Sequence, residues 1–65
     1  MKIILNGDAH EVSAQTLAAA LDELGFASAV VATALNGEFV ATAVRSITPL
    51  SAGDQLEVLA PMQGG

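Results

Sequence analysis

Two Asn-Gly dipeptides, Asn6-Gly7 and Asn36-Gly37, divide this chain. Asn-Gly is the strongest short-range hairpin signal, because the tight turn it favours needs positive φ at both central residues. Gly adopts such angles freely and Asn tolerates them. The first pair joins an apolar, β-prone start over residues 1–5 to a short return over 9–13, which sets His10 and Val12 on one face and Glu11 on the other. The second joins a strand-like run over 30–35 to a continuation over 38–44. The segments between and after the hairpins then decide the fold.

Between them, Leu17, Ala20, Leu21 and Leu24 recur at i, i+3, i+4 and i+7, the stripe of an amphipathic helix. Ser13 or Thr16 is placed to cap its start, and Asp22 and Glu23 lie off the apolar stripe. Gly25 stands where a left-handed residue ends a helix, with Phe26 as the apolar residue that packs back. After the second hairpin, residues 45–50 read as irregular, and Pro49 excludes a central strand there. Residues 51–54 form a turn, and Gln55–Leu59 alternates so that Leu56 and Val58 share a face. One helix covers one face of a mixed sheet, so the expected fold is a two-layer α+β domain over residues 1–59.

A chain this short buries only about 60% of its unfolded surface, so many need a disulfide or a metal to fold. With no cysteine and a single histidine, His10, this one has neither a disulfide framework nor a cysteine zinc site. Its stability rests on apolar packing, for which 52% hydrophobic residues provide the material. The net charge is −5, with Lys2 and Arg45 the only basic side chains and no Trp or Tyr. That excludes nucleic acid, which calls for a basic footprint and stacking aromatics, and favours a protein partner with a positive groove. No apolar run approaches the roughly 20 residues of a membrane span, and the start lacks a signal peptide's pattern. No membrane partner is expected, and the expected location is the cytoplasm.

Past Leu59 the sequence reads Ala60-Pro61-Met62-Gln63-Gly64-Gly65. Pro61 cannot donate to a sheet ladder and biases Ala60 toward extended geometry. Residues 60–65 are therefore expected to leave the sheet as a projecting, flexible tail. A diglycine has no side chain to crowd its carbonyl and suits a carboxylate that must thread a narrow cleft. A frayed end is the simpler explanation, because chain termini are commonly disordered.

The order hairpin, helix, hairpin, turn, strand, together with Leu35-Asn36-Gly37-Glu38, the Gly53-Asp54 turn and the closing Ala-Pro-Met-Gln-Gly-Gly, resembles the ubiquitin-like β-grasp sulfur carriers. The likeness is nearest to the ThiS type of thiamine thiazole biosynthesis and covers nearly the whole chain. The resemblance implies a β-grasp fold and a carrier with no catalysis of its own. It implies that an E1-like adenylating enzyme of the ThiF type activates the carboxylate of Gly65 with ATP, so that the nucleotide is bound by the partner. A sulfur donor such as a cysteine desulfurase then supplies the atom that makes a thiocarboxylate. Thiazole synthase of the ThiG type takes that sulfur. By the same resemblance Pro61, Met62, Gln63 and Gly64 form the tail that partners grip. The small subunit of molybdopterin synthase, a covalent protein modifier and a plain β-grasp interaction module are the alternative readings.

The remaining constellations are weaker. Asp22-Glu23 and Asp54/Glu57 read as solvated acids, since adjacent helical residues point apart and nothing suggests a pocket. His10 lacks a second ligand at metal-binding spacing and reads as an edge histidine. Neither G-x-G-x-x-G nor G-x-x-x-x-G-K occurs, so no phosphate loop is present. Phe39-Val40 is either an exposed apolar pair of the kind ubiquitin-like folds present to partners or an inward-facing one.

Overall fold

The computed structural model describes residues 1–27 and 29–60. The expected tail residues Pro61, Met62, Gln63, Gly64 and Gly65 lie outside the described residues. Both Asn-Gly pairs make the hairpins they promise. Strand β1 (Lys2–Leu5) pairs antiparallel with β2 (Asp8–Glu11), and β3 (Ala32–Leu35) pairs antiparallel with β4 (Glu38–Val40). φ is 48° at Asn6, 90° at Gly7, 51° at Asn36 and 87° at Gly37, so each turn has positive φ at both central positions and matches the strand twist.

The helix α1 (Leu17–Glu23) starts at Thr16, whose side chain accepts the Ala19 N–H. It ends as the Gly25-Phe26 pair predicts. Gly25, at φ 96°, donates to the Asp22 carbonyl, and Phe26 donates to the Leu21 carbonyl at 2.8 Å. These two bonds satisfy carbonyls that would otherwise be orphaned at the helix end. Strand β5 (Gln55–Leu59) inserts between the hairpins, parallel to β1 and antiparallel to β3, which gives the order β2-β1-β5-β3-β4. A mixed sheet with a single α-helix across one face is the ubiquitin-like β-grasp arrangement.

The core lies between that face and the helix. Ile3, Val12, Leu56, Val58 and Val40 meet Leu17, Ala20 and Leu21, with Leu50 closing one side. Leu24 is only partly buried against this cluster. The chain over 48–50 runs beside the start of the helix: Leu17 donates to the Thr48 carbonyl and Leu50 to that of Gln15.

Three expectations are corrected. The strand expected over 38–44 stops at Val40, and Thr42–Ile47 is a 3-10 helix. Val40 already faces Thr33, one residue from the start of β3, and beyond it the Val31 carbonyl is taken by the Arg45 guanidinium at 2.6 Å. A longer β4 has no ladder to join. Likewise Val30 and Val31 precede β3 rather than belonging to it, and Val30 is exposed. The return strand is Asp8–Glu11, one residue earlier and shorter than expected, although Val12 still donates its N–H to the Met1 carbonyl.

Candidate functional site

Strand β5 leads directly into Ala60, so its neighbours fix where the described chain ends. On one side four of its five residues pair with β3, from Leu35↔Leu56 to Ala32↔Leu59. On the other side β1 pairs only as far as Leu5↔Leu56, because the chain then turns away at Asn6. The Asn6 backbone N–H still reaches the Leu56 carbonyl at 2.9 Å. Its side-chain amide goes one step further. Oδ1 accepts the Val58 N–H at 2.9 Å and Nδ2 donates to the Val58 carbonyl at 3.1 Å. The Asn6 carboxamide thus replaces the peptide group that a longer β1 would have offered.

Asn36 does the same kind of work where β5 begins. Its Oδ1 accepts the Gln55 N–H at 2.9 Å and its Nδ2 donates to Asp54 Oδ1 at 3.1 Å. Asp54 Oδ2 in turn accepts the Ser51 N–H at 2.8 Å, which fixes the turn before the strand. Each Asn-Gly pair is therefore both a hairpin turn and a bracket on β5. Reading Asn-Gly only as turn chemistry misses the bracket. The available signal was that Asn, unlike Gly, brings a donor and an acceptor to a positive-φ position.

The face of the sheet away from the helix is open. Phe39, Ala34 and Glu57 lie in one cross-strand row, Ala32 and Leu59 in the next, and Ile4 stands beside Gln55. Phe39 is 74% and Leu59 67% exposed, whereas Val40 is buried. Phe39-Val40 is thus neither a fully exposed nor a fully inward pair, because neighbouring strand residues point to opposite faces. Ala60, the last described residue, is exposed and lies just past the strand.

Glu23 and Arg45 do structural work. The Glu23 carboxylate accepts the N–H of Ser13 at 2.9 Å and that of Ala14 at 3.0 Å, which ties the β2–α1 loop to the end of the helix. The Ser13 amide, with help from Ala14 and the Ser13 hydroxyl, holds the Glu23 carboxyl below its ordinary value of 4.5. The expected solvated acid is a loop anchor. Arg45 Nε donates to Thr33 Oγ1 at 3.1 Å, and that hydroxyl donates to the Val40 carbonyl at 2.8 Å. A hollow between α1 and the 3-10 helix is lined by Ala18, Asp22, Phe26, Thr42, Arg45 and Ser46, but no nucleophile–base pair faces it. His10 lies exposed on the edge strand β2, as expected. Among the described residues no cluster of His, Asp and Glu could hold a metal, and no helix is long and apolar enough to cross a membrane.

The five residues expected to carry the chemistry and the partner grip, Gly65 with Pro61, Met62, Gln63 and Gly64, fall outside the described residues. What the structure adds is the platform: a bracketed β5, an open apolar face beside it and Ala60 at its edge. No curated protein matches the chain. Among solved structures, thiamine biosynthesis protein ThiS from Geobacter metallireducens is similar over 100% of both chains, at 30% identity and a TM-score of 0.85. The ThiS family model matches residues 3–65, a span that takes in both hairpins, the bracketed strand and the diglycine. The chain belongs to the ThiS family of sulfur carrier proteins.

Proposed function

We propose that this protein carries sulfur as a thiocarboxylate on Gly65 for formation of the thiazole ring of thiamine. The observation that carries the reading is that the family match runs through Gly64 and Gly65. ThiS proteins are small carriers and not catalysts in their own right. In this chain the carrier atom has to be on the backbone, because the sequence has no cysteine to hold a persulfide or an acyl group.

A carboxylate is a poor electrophile. An E1-like enzyme attacks the α-phosphate of ATP with the Gly65 carboxylate, releasing pyrophosphate and leaving an acyl-adenylate. The outer sulfur of the persulfide on a donor such as a cysteine desulfurase adds to the acyl carbon, and AMP leaves as the C–O bond breaks. A thiol reductant then cleaves the S–S bond of the acyl disulfide, freeing the donor's cysteine. The product is a thiocarboxylate, from which thiazole synthase takes the sulfur. ATP is held by the partner. Residues 60–65 act as the tail, with Pro61, Met62, Gln63 and Gly64 gripped in the partner's cleft. Phe39, Ala34 and Leu59 offer that partner an apolar contact, and Glu57 offers a carboxylate to a basic side chain.

Fragmentation mass spectrometry of the C-terminal peptide tests the reading. After incubation with ATP, sulfur donor and adenylating enzyme, one oxygen of Gly65 is replaced by sulfur. A chain lacking Gly65 supports no thiazole formation. A free carboxylate under those conditions would refute the carrier role.

A further inference from the structure

Strand β5 has unequal support at the end from which the tail departs. At Val58 and Leu59 one flank is a regular ladder to Thr33 and Ala32 of β3. The other flank has no strand, since β1 has already turned at Asn6, and the two bonds from the Asn6 carboxamide to Val58 occupy that place. Residues 6 and 58 are 52 apart in sequence, so these bonds are tertiary ties and not part of the local turn.

We infer that Asn6 is a positioning residue for the C-terminal tail, pairing with both backbone groups of Val58 to fix where the chain leaves the sheet. The inference rests on the carrier reading and extends it to a residue far from the tail in sequence. A tail of five residues beyond Ala60 reaches at most roughly 17 Å, so the position of its root decides what it can enter. If the last residues of β5 swing free, the root of the tail is no longer fixed. The partner then captures the carboxylate from a broader ensemble. Such a loss of preorganisation weakens productive binding and leaves the docked complex unchanged. It therefore raises KM and spares kcat.

Asn36 supplies the control, because it makes an equivalent pair of side-chain bonds at the opposite end of β5. The experiment compares the parent chain with Asn6→Gly and Asn36→Gly, since glycine keeps the positive-φ turn in both. Pyrophosphate release by the adenylating enzyme is followed against carrier concentration, at a temperature where all three chains are folded. Asn6→Gly is expected to raise KM roughly fivefold, the population change that about one net hydrogen bond supports, with kcat unchanged. Asn36→Gly, with a similar loss of stability, is expected to match the parent. Equal KM values for the two variants would overturn the positioning role.

If Asn6→Gly does not fold, Asn6→Asp takes its place with the same expected direction. It keeps the turn and the acceptor for the Val58 N–H but loses the donor. Should the parent itself accept no adenylate, the carrier reading falls and positioning is judged by amide exchange. Faster exchange at Leu59 in the Asn6 variant alone upholds it, and unchanged exchange overturns it.

Discussion

Thr33 is buried to 2% exposure in the middle of the sheet, and Thr33→Val is the cleanest perturbation the structure offers. The substitution keeps the shape and the β-branch and removes one hydroxyl. That hydroxyl donates to the Val40 carbonyl at 2.8 Å and accepts from Arg45 Nε at 3.1 Å. Losing the neutral bond costs about 0.5–1.5 kcal/mol and the charge-assisted one about 1.5–3 kcal/mol, the upper part being unreachable for a half-buried arginine. The new methyl returns roughly 0.8 kcal/mol of apolar burial. Polar loss wins, for a net destabilisation of about 1–3 kcal/mol. A domain of this size has about 3–10 kcal/mol in total, so the effect is large. In urea, with a slope of about 1 kcal/mol/M for a small protein, the midpoint falls by about 1–3 M. Arg45→Met should couple to it by about 1 kcal/mol in a double-mutant cycle, since each removes the same bond. A Thr33→Val chain within about 0.3 kcal/mol of the parent would refute the reasoning and show that methyl burial offsets the lost bonds.

Two further outcomes follow from the C-terminal end of the helix. Because the folded-state pKa of Glu23 lies below its ordinary value of 4.5, its stabilisation is present above that value and is lost as pH falls through the folded one. Urea midpoints of the parent and Glu23→Gln should differ at neutral pH and converge at acid pH, and a constant gap would remove the carboxylate from the explanation. Gly25→Ala places a Cβ where nothing lies within 4 Å, so its cost is the backbone's alone. At φ 96° that cost is about 1–2 kcal/mol. In thermal melting it corresponds to roughly 4–16 °C, and a shift under about 2 °C would mean the helix end relaxes out of the left-handed region.

What the sequence made legible, and what it hid, separates along a physical line. Asn6-Gly7, Asn36-Gly37, the stripe of Leu17, Ala20 and Leu21, the Gly25-Phe26 stop and the Leu56/Val58 alternation are local patterns. Each is settled by the φ or the side-chain period of a few consecutive residues, and each has its expected form in the structure. The strand expected to run past Val40 failed because its continuation depended on a partner. Thr42 and Val44 are β-prone, yet the ladder ends with β3, and Arg45 claims the Val31 carbonyl. Local propensity is a weak prior where pairing decides. The same cause hid Glu23, Arg45 and both asparagine brackets. Their partners lie 10 residues away for Ser13–Glu23, 12 for Thr33–Arg45 and 52 for Asn6–Val58, and such bonds leave no periodic trace. The asparagine ties hold the parts of β5 that strand pairing leaves short. In a 65-residue domain with no disulfide, they let a strand last in sequence sit at the centre of the sheet while its far end leads directly into Ala60. Asn6 serves both by extending the ladder with a side chain at Val58, where β1 has already turned away.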